Sequence, residues 1–206
     1  MQWENDLTHD IRTTPENDNT DRWSAAFEAG PYRSEYPWVE MSECNRNSIK
    51  ERFLTVRDHA KAILEIGVVQ HDINASSYIV FKENKKLETI YIGIDVLDKN
   101  HLNDAANNIH TVRGSSSDLE DNMVKIRALG VTEFDFIFID GEHSLNQVYR
   151  DWEYTQFLAP GGIVGFHDVS THPGPTEFIK AIDKNKWHVI ENTCPRDFGT
   201  GFAWRK

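Results

Sequence analysis

Cysteine is scarce in this sequence, and long apolar runs are missing. The two cysteines, Cys44 and Cys194, lie far apart and form no CxxC pair. No apolar stretch approaches the roughly 18 residues of a membrane-spanning helix, and the first residues lack the charged and apolar regions of a signal peptide. We therefore expect a cytoplasmic protein without membrane contact, whose cysteines are free thiols.

Basic residues are also few. The chain has 22 Lys and Arg against 33 Asp and Glu, for a formal net charge of -11. Proteins that bind nucleic acids usually present Lys and Arg to the phosphates, so this balance predicts no nucleic-acid partner. Hydrophobic residues make up 39% of the 206 residues, which is enough for the core of one α/β domain with an N-terminal extension.

The N-terminal part of the chain differs in composition from the rest. Residues 1–22 are rich in Asn, Asp, Thr and Glu, which predicts a loop or a frayed arm. The following stretch contains several aromatic residues: Trp23, Phe27, Tyr32, Tyr36 and Trp38. These either pack against the main domain or form a lid over a substrate. We assign residues 1–44 to this extension or lid and residues 45–206 to the main domain.

From residue 45 onward, short apolar runs alternate with segments of helical periodicity. The predicted strands are Ala62–Gly67, Thr89–Asp95, Ile109–Arg113, Phe134–Ile139, Ile163–Phe166, Trp187–Glu191 and Gly201–Trp204. The predicted helices are Asn45–His59, Ser76–Lys85, Leu119–Leu129 and Thr176–Lys184, with a further crossover helix between the fourth and fifth strands. This β-α alternation predicts a mostly parallel sheet that binds its ligand at the carboxyl ends of the strands.

Two clusters of acids and histidines follow neighbouring strands of this sheet. The fourth strand ends in Asp140-Gly141-Glu142-His143, and the fifth ends in His167-Asp168. Polar residues can simply mark where a strand stops. A paired Asp and His at two adjacent strand ends favours a functional site instead.

The first two strands predict a nucleoside-type ligand. Gly67 lets the backbone approach a ligand closely, and Asp95 is placed to accept hydrogen bonds from ribose hydroxyls. No GxGxxG follows the first strand, which argues against an NAD-linked or nucleotide-sugar enzyme, since a pyrophosphate needs a glycine-lined helix N-terminus. S-adenosylmethionine has no phosphate, and its positive charge suits Glu65.

Five segments in order resemble class I S-adenosylmethionine-dependent methyltransferases. They read LEIG, YIGID, VRGSS, FDFIFIDGEHS and LAPGGIVGFHD, and they are most similar to the small-molecule O-methyltransferase-like group. The resemblance implies a Rossmann-like α/β fold, with a seven-stranded, mostly parallel sheet whose last strand is antiparallel.

The resemblance also implies roles for individual residues. It places Glu65 and Gly67 at the methionine end of the cofactor, Asp95 at the ribose, Gly114, Ser115 and Ser116 at the adenine, and Asp140 beside the methyl group. The loop from Val68 to Ser76 departs from the family pattern, because Gln70-His71-Asp72-Ile73-Asn74 stands where members usually have a second glycine and a small residue.

For the chemical step, the resemblance implies that Asp140 and Asp168 share a Mg²⁺ ion or another divalent metal, as in catechol-type O-methyltransferases. That family has an amide directly after the second acid, whereas this chain has Val169. His167 or Glu142 is the substitute ligand that we consider.

His143 stands where the catechol-type family places a lysine base, and an imidazole can remove a proton near neutral pH. In a metal-free alternative, Asp168 orients His143 or His167, and His167 has either a catalytic or a structural role. The candidate catalytic set is therefore His143, Asp140 and His167, with His172 a weaker candidate in a rigid turn, His172-Pro173-Gly174-Pro175.

The sequence therefore predicts a methyltransferase that acts on a hydroxyl of a small molecule. The alternatives are a catalytically degenerate binding protein on the same fold and an NAD or nucleotide-sugar enzyme. The sequence identifies neither the methyl acceptor nor the oligomeric state, so a homo-oligomer is left open.

Overall fold

A seven-stranded sheet organises the chain. The computed structural model describes residues 6–12, 41–69 and 72–206. The strands are β1 (Ala62–Ile66), β2 (Ile90–Asp95), β3 (Ile109–Arg113), β4 (Phe134–Ile139), β5 (Leu158–His167), β6 (Trp187–Ile190) and β7 (Thr200–Arg205). Their order is β3-β2-β1-β4-β5-β7-β6, and β7 runs antiparallel to both of its neighbours. The predicted fold class is confirmed.

In the described residues, five α-helices cover the two faces of the sheet. They are α1 (Glu43–Leu54), α2 (Ser77–Asn84), α3 (Leu119–Ala128), α4 (Leu145–Trp152) and α5 (Pro173–Ala181). Apolar residues of α1 and α2 pack on one face, and those of α3, α4 and α5 pack on the other. Because the central strands are covered on both sides, they are apolar along their length.

Serine side chains fix where three of these helices begin. Ser42 Oγ accepts a hydrogen bond from the backbone of Asn45, Ser76 Oγ accepts one from Ile79, and Ser144 Oγ accepts one from the third residue of its helix, α4. Such caps satisfy backbone N–H groups that have no partner within the helix. Since Ser144 directly follows His143, this cap also fixes the end of the loop that carries His143.

The turn predicted at His172-Pro173-Gly174-Pro175 is wrong in part. Helix α5 already begins at Pro173, where a missing N–H costs nothing because no helical acceptor exists for it. Helical periodicity alone placed this start at Thr176, three residues too late.

Part of the N-terminal arm is attached to the domain. Leu7 forms an isolated antiparallel bridge with Ile182, and Thr8 N donates to the carbonyl of Ala181 over 2.9 Å. Residues 6–12 contain no helix or strand, as expected for a loop, and these contacts attach that loop to the domain. The proposed lid and its aromatic residues between positions 23 and 38 lie outside the described residues, as do Gln70 and His71. The domain boundary at residue 44 stays a prediction.

The two cysteines form a disulfide, so the expectation of free thiols is wrong. The bond joins Cys44 in α1 to Cys194 in the loop between β6 and β7, with a Cα–Cα distance of 6.2 Å and a sequence separation of 150. The fold brings the two residues together, and their spacing in the sequence gave no sign of it. No helix in the described ranges is long and apolar enough to cross a bilayer.

We expect the disulfide to stabilise the fold, because it closes a long loop in the unfolded chain. Loss of a native disulfide typically costs about 2–5 kcal/mol, so dithiothreitol should lower the thermal midpoint by roughly 5 °C or more. A Cys44→Ser, Cys194→Ser double variant should start at the lower midpoint and not respond to dithiothreitol. Two titratable thiols in the unreduced, denatured wild type would contradict the bond.

Candidate active site

The carboxyl ends of β1, β2 and β4 meet without space for a side chain. Gly67 N donates to Ile94 O over 2.9 Å, and Asp140 N donates to Ile66 O over 2.8 Å. Gly67 has φ +80°, and a Cβ there would lie 2.1 Å from the carbonyl oxygen of Asp140. Glycine is therefore required at position 67, both for its backbone conformation and for the close packing of two strand ends.

Glu65 does not reach the surface at these strand ends. Its side chain is fully buried, and its two carboxylate oxygens accept hydrogen bonds from the hydroxyls of Ser77 and Tyr91. Burial and the adjacent carboxylate raise the pKa of Tyr91 well above its ordinary value, so the phenol remains a donor. A role for Glu65 at the methionine end of the cofactor stays a prediction. Because its side chain is fully buried, Glu65 would have to act on the cofactor from below the protein surface.

Asp95 ends β2 and organises the loop that follows β1. Its Oδ2 accepts a hydrogen bond from Val68 N at 2.9 Å, and its Oδ1 accepts one from Leu97 N at 2.7 Å. Lys99 Nζ lies 3.7 Å from Oδ2 and also donates to the carbonyl of Val69. A carboxylate offers about four acceptor positions, and 13% of this side chain is exposed. Asp95 can therefore still accept a bond from a ligand hydroxyl.

Val68, the first residue after Gly67, packs inward. It is 2% exposed, and its Cγ2 would lie 2.6 Å from a Cβ at Gly93. A glycine in β2 therefore makes room for this valine. The departure from the family pattern follows in residues 70–74, of which Gln70 and His71 lie outside the described residues.

Hydrogen bonds attach the segment from Gly114 to Ser116 to Asn122 in α3 and to Tyr154, which follows α4. Asn122 Nδ2 donates to Ser115 O over 2.7 Å, and the hydroxyl of Tyr154 donates to Ser116 O over 3.0 Å. A Cβ on Gly114 would lie 2.8 Å from Asn122 Oδ1. The loop expected at the adenine is therefore held in one conformation.

Two polar residues of α4 support the same loop and were missed by the sequence analysis. Gln147 Nε2 donates to Ser116 Oγ over 2.9 Å and to Asp151 Oδ1 over 2.8 Å. Asp151 is fully buried, and burial raises its pKa to about 7. Their signal was present: two polar residues four positions apart stand beside Val148 and Trp152 on the buried face of a helix.

The ends of β4 and β5 bring four of the predicted residues together. His167 Nδ1 lies 3.0 Å from Asp140 Oδ1 and 3.2 Å from Asp168 Oδ2. His143 Nε2 lies 2.9 Å from the same oxygen of Asp168. Asp168 therefore contacts both histidines, and His167 lies between the two carboxylates.

His172 extends this cluster through its ring. It is 4% exposed and stacks on His143 with a centroid distance of 3.9 Å and an interplanar angle of 21°. Thr171 Oγ1 donates to Asp168 Oδ1 over 3.0 Å. A Cβ on Gly174 would lie 2.0 Å from His143 O, so the start of α5 packs directly on the loop after β4 and fixes the position of His143.

The charges in this cluster depend on one another. Burial alone would lower the pKa of His167, but the carboxylates of Asp140 and Asp168 raise it well above its ordinary value. Burial would raise the pKa of Asp168, yet His167 and His143 hold it well below its ordinary value. Burial raises the pKa of Asp140 despite the nearby His167. His167 is therefore the positive charge that compensates these acids.

Two groups of three residues could hold a divalent ion. Their donor atoms lie within 4.8 Å of one another, in Asp140–His167–Asp168 and in His143–Asp168–His172. Mg²⁺ is usually held by one or two carboxylates and several retained waters, and the first group offers two carboxylates together with one imidazole nitrogen. Glu142, the other proposed substitute, is exposed and belongs to neither group.

The sequence and the fold were compared with known proteins. A family described as a methyltransferase domain matches residues 53–169, more than half of the 206 residues. No curated protein matches the chain.

Three solved structures show the likeness in fold. MycE methyltransferase from the mycinamycin biosynthetic pathway, in complex with Mg, SAH and mycinamycin VI, is 18% identical over 84% of this chain and 53% of its own, with a TM-score of 0.59. An O-methyltransferase from Bacillus cereus in complex with SAH is 20% identical over 85% and 86%, with a TM-score of 0.54. TomG from Streptomyces achromogenes, in complex with SAM, is 18% identical over 100% and 99%, with a TM-score of 0.51. The chain thus spans about half the length of MycE. Because all three sequence identities are 20% or lower, these structures establish a likeness in fold alone.

Burial of Asp151 predicts a measurable pH dependence of stability. Its pKa rises from 3.8 to about 7 in the folded protein, so the folded state holds a proton that the unfolded state releases above pH 3.8. The contribution of Asp151 to stability is therefore fully present below that value and is lost as the pH rises through 7.

Asp151→Asn should remove this effect, because an amide keeps the acceptor for Gln147 and cannot ionise. The variant should exceed the wild type in unfolding free energy by an amount that grows from pH 4 to pH 7, to the order of 4 kcal/mol. Urea unfolding at several pH values measures the difference. A gap that stays constant with pH would mean that Asp151 is not protonated in the folded state.

Proposed function

We infer that this chain, which belongs to the methyltransferase domain family, transfers a methyl group from S-adenosylmethionine to a hydroxyl of a small molecule. The observation that carries this proposal is the arrangement of strand ends. Asp95, the acid that would bind ribose, ends β2. The cluster that would activate the acceptor ends β4 and β5, and all three strand ends lie on the same edge of one sheet.

This edge of the sheet has features that suit a phosphate-free adenosine ligand. The closely packed glycine at Gly67 keeps side chains away from the tip of β1, and Asp95 retains acceptor capacity for ribose hydroxyls. The fastened segment Gly114–Ser116 offers a rigid wall at the adenine end. When bound, S-adenosylmethionine supplies a methyl group on a positively charged sulfur, and the protein must orient the acceptor and remove its proton.

His143 is the residue that we assign as general base. It is partly exposed, with 23% of its side chain accessible, whereas His167 is 3% exposed and lies between two carboxylates. Asp168 and the stacked ring of His172 orient the imidazole of His143. An imidazole held by a carboxylate can take a proton from a hydroxyl near neutral pH.

Other expectations from the sequence remain within this proposal. The acceptor is a small molecule, and we propose no nucleic-acid or membrane partner. Magnesium assistance through Asp140 and Asp168 stays a prediction. A cytoplasmic location stays a prediction, and the bond between Cys44 and Cys194 counts against it, since disulfides are uncommon in that compartment. A homo-oligomer also stays open.

One observation favours a second candidate, a binding protein on a methyltransferase fold without catalysis. At the methionine end, Glu65 is occupied by Ser77 and Tyr91, and Val68 fills space against Gly93. If these residues displace the amino-acid part of the cofactor, the chain would bind an adenosine compound without transferring a methyl group.

The first test is the binding of S-adenosylhomocysteine by isothermal titration calorimetry. Asp95→Asn should weaken binding about 10- to 100-fold, because a neutral amide replaces the charged acceptor of the ribose hydroxyls. Asp98→Asn, in the exposed part of the same loop, is the matched control and should bind like the wild type. Absence of binding to both S-adenosylmethionine and S-adenosylhomocysteine would overturn the proposal.

The second test is methyl transfer to a panel of catechols and phenols. The rate is measured as the release of S-adenosylhomocysteine. His143→Ala should lower kcat by about 10²- to 10⁴-fold, the usual contribution of a general base, and leave the affinity for S-adenosylhomocysteine unchanged. His59→Ala changes an exposed histidine in the turn before β1 and serves as the control. Cofactor binding without turnover of any acceptor would favour the binding protein.

A further inference from the structure

Lys99 links the loop after β2 to the loop after β1. Only 8% of its side chain is exposed, although a lysine is rarely this buried unless its ammonium group is paired. The Nζ atom donates to the carbonyl of Val69 and lies 3.7 Å from Asp95 Oδ2. One ammonium group therefore contacts both loops that border the expected position of the ribose.

The backbone at Lys99 is anchored to the core. Leu102 N donates to Lys99 O over 2.8 Å, and Leu102 itself is 5% exposed. The hydroxyl of Tyr78 donates to Leu102 O over 3.3 Å. The turn that carries Lys99 is thus fixed, and the lysine side chain extends from a set position.

The contacts of Asp95 make its two carboxylate oxygens unequal. Oδ2 accepts a hydrogen bond from Val68 N over 2.9 Å and also faces the ammonium group of Lys99. Oδ1 accepts one from Leu97 N over 2.7 Å, which is its only hydrogen bond within residues 6–12, 41–69 and 72–206. Each carboxylate oxygen has about two acceptor positions. One position therefore remains open on Oδ1, whereas both positions on Oδ2 are taken.

We propose that Lys99 determines how Asp95 recognises ribose: it occupies Oδ2, so that one ribose hydroxyl binds at Oδ1 and the other hydroxyl does not bind this acid. This assignment rests on the proposed function, because it requires an adenosine ligand at this edge of the sheet. Lys99 is then a positioning residue that sets specificity through Asp95 without touching the ligand.

The same lysine holds the loop after β1 in an unfavourable backbone conformation. Val69 has φ +39°, a left-handed conformation that β-branched residues rarely adopt. The bond from Lys99 to the carbonyl of Val69 and the bond from Val68 N to Asp95 keep this loop beside the end of β2. Removal of the ammonium group should therefore release Oδ2 and loosen the loop.

In a competing arrangement, Lys99 is a structural contact alone. Its ammonium group would move aside when the ligand binds, and Asp95 would accept hydrogen bonds from both ribose hydroxyls. The two arrangements give different results with ligands that lack one hydroxyl.

The experiment is isothermal titration calorimetry with S-adenosylhomocysteine and its 2′-deoxy and 3′-deoxy analogues. In the wild type, loss of one hydroxyl should weaken binding about 10- to 100-fold, the value of a hydrogen bond to a charged group, and loss of the other by less than about 3-fold. Equal losses for the two analogues would overturn the proposal, and this comparison requires no variant.

Variants then test whether Lys99 is the cause. Lys99→Met should make the two losses equal to within about 3-fold, because Oδ2 becomes available to the second hydroxyl. Lys99→Arg keeps the charge and should keep the losses unequal. The double variant Asp95→Asn, Lys99→Met should bind like Asp95→Asn, since Lys99 acts through that acid. Unchanged inequality in a folded Lys99→Met would refute the role of Lys99.

Lys180→Met is the matched control. Lys180 also pairs with an acid, at 3.1 Å from Glu177, but both side chains are exposed on α5. This variant should bind all three ligands like the wild type. Circular dichroism and the thermal midpoint check that each variant folds.

Hydrogen exchange on the ligand-free protein separates this proposal from the proposed function. Lys99→Met should speed exchange at the amides of Val68 and Val69 by at least about 10-fold, and unchanged exchange would show that Lys99 does not hold the loop. Absence of binding to S-adenosylhomocysteine would remove the proposed function and the ribose selectivity together. Binding with equal losses for the two analogues would remove the selectivity alone.

Discussion

The buried carboxylate of Asp168 is the constraint on which the candidate active site depends. It lies 2.9 Å from His143 and 3.2 Å from His167, and it accepts a hydrogen bond from Thr171. Its backbone has φ +60°, a conformation that costs a non-glycine residue about 1–2 kcal/mol but is easiest for Asp and Asn. A buried charge is tolerated only when it is paired and hydrogen-bonded, so the surrounding histidines and the backbone turn form one unit.

The parts of this unit are held in place because the loops and helix that carry them are fixed by capping, by close backbone packing and by the core. The loop after β4 is fixed by the Ser144 cap at one end and by the Gly67 contact at the other. Helix α5 begins against that loop, where Gly174 allows the backbones to touch. Beneath them, buried aromatic rings of Trp152, Phe166 and Phe178 pack together. The geometry of this cluster is therefore set by the core, which is how side chains on loops can be held in fixed positions.

The sequence predicted the strands better than the contacts between distant residues. Strands β3 and β4 have the predicted bounds, because a short β-rich run delimited by turn residues is a local signature of a strand. The Asp and His clusters came together as expected, since parallel strands end at one edge. The pairing of Cys44 with Cys194 and the inward position of Glu65 were not predictable, because each depends on which distant residue the tertiary fold places opposite.

The departure at the methionine end changes how a positively charged cofactor would be held. Glu65 is fully buried and hydrogen-bonded to Ser77 and Tyr91, so an ammonium group could contact it directly only if the residues around it moved. On the proposed function, backbone contacts near Gly67 and the hydroxyl contacts of Asp95 would then fix the orientation of the cofactor.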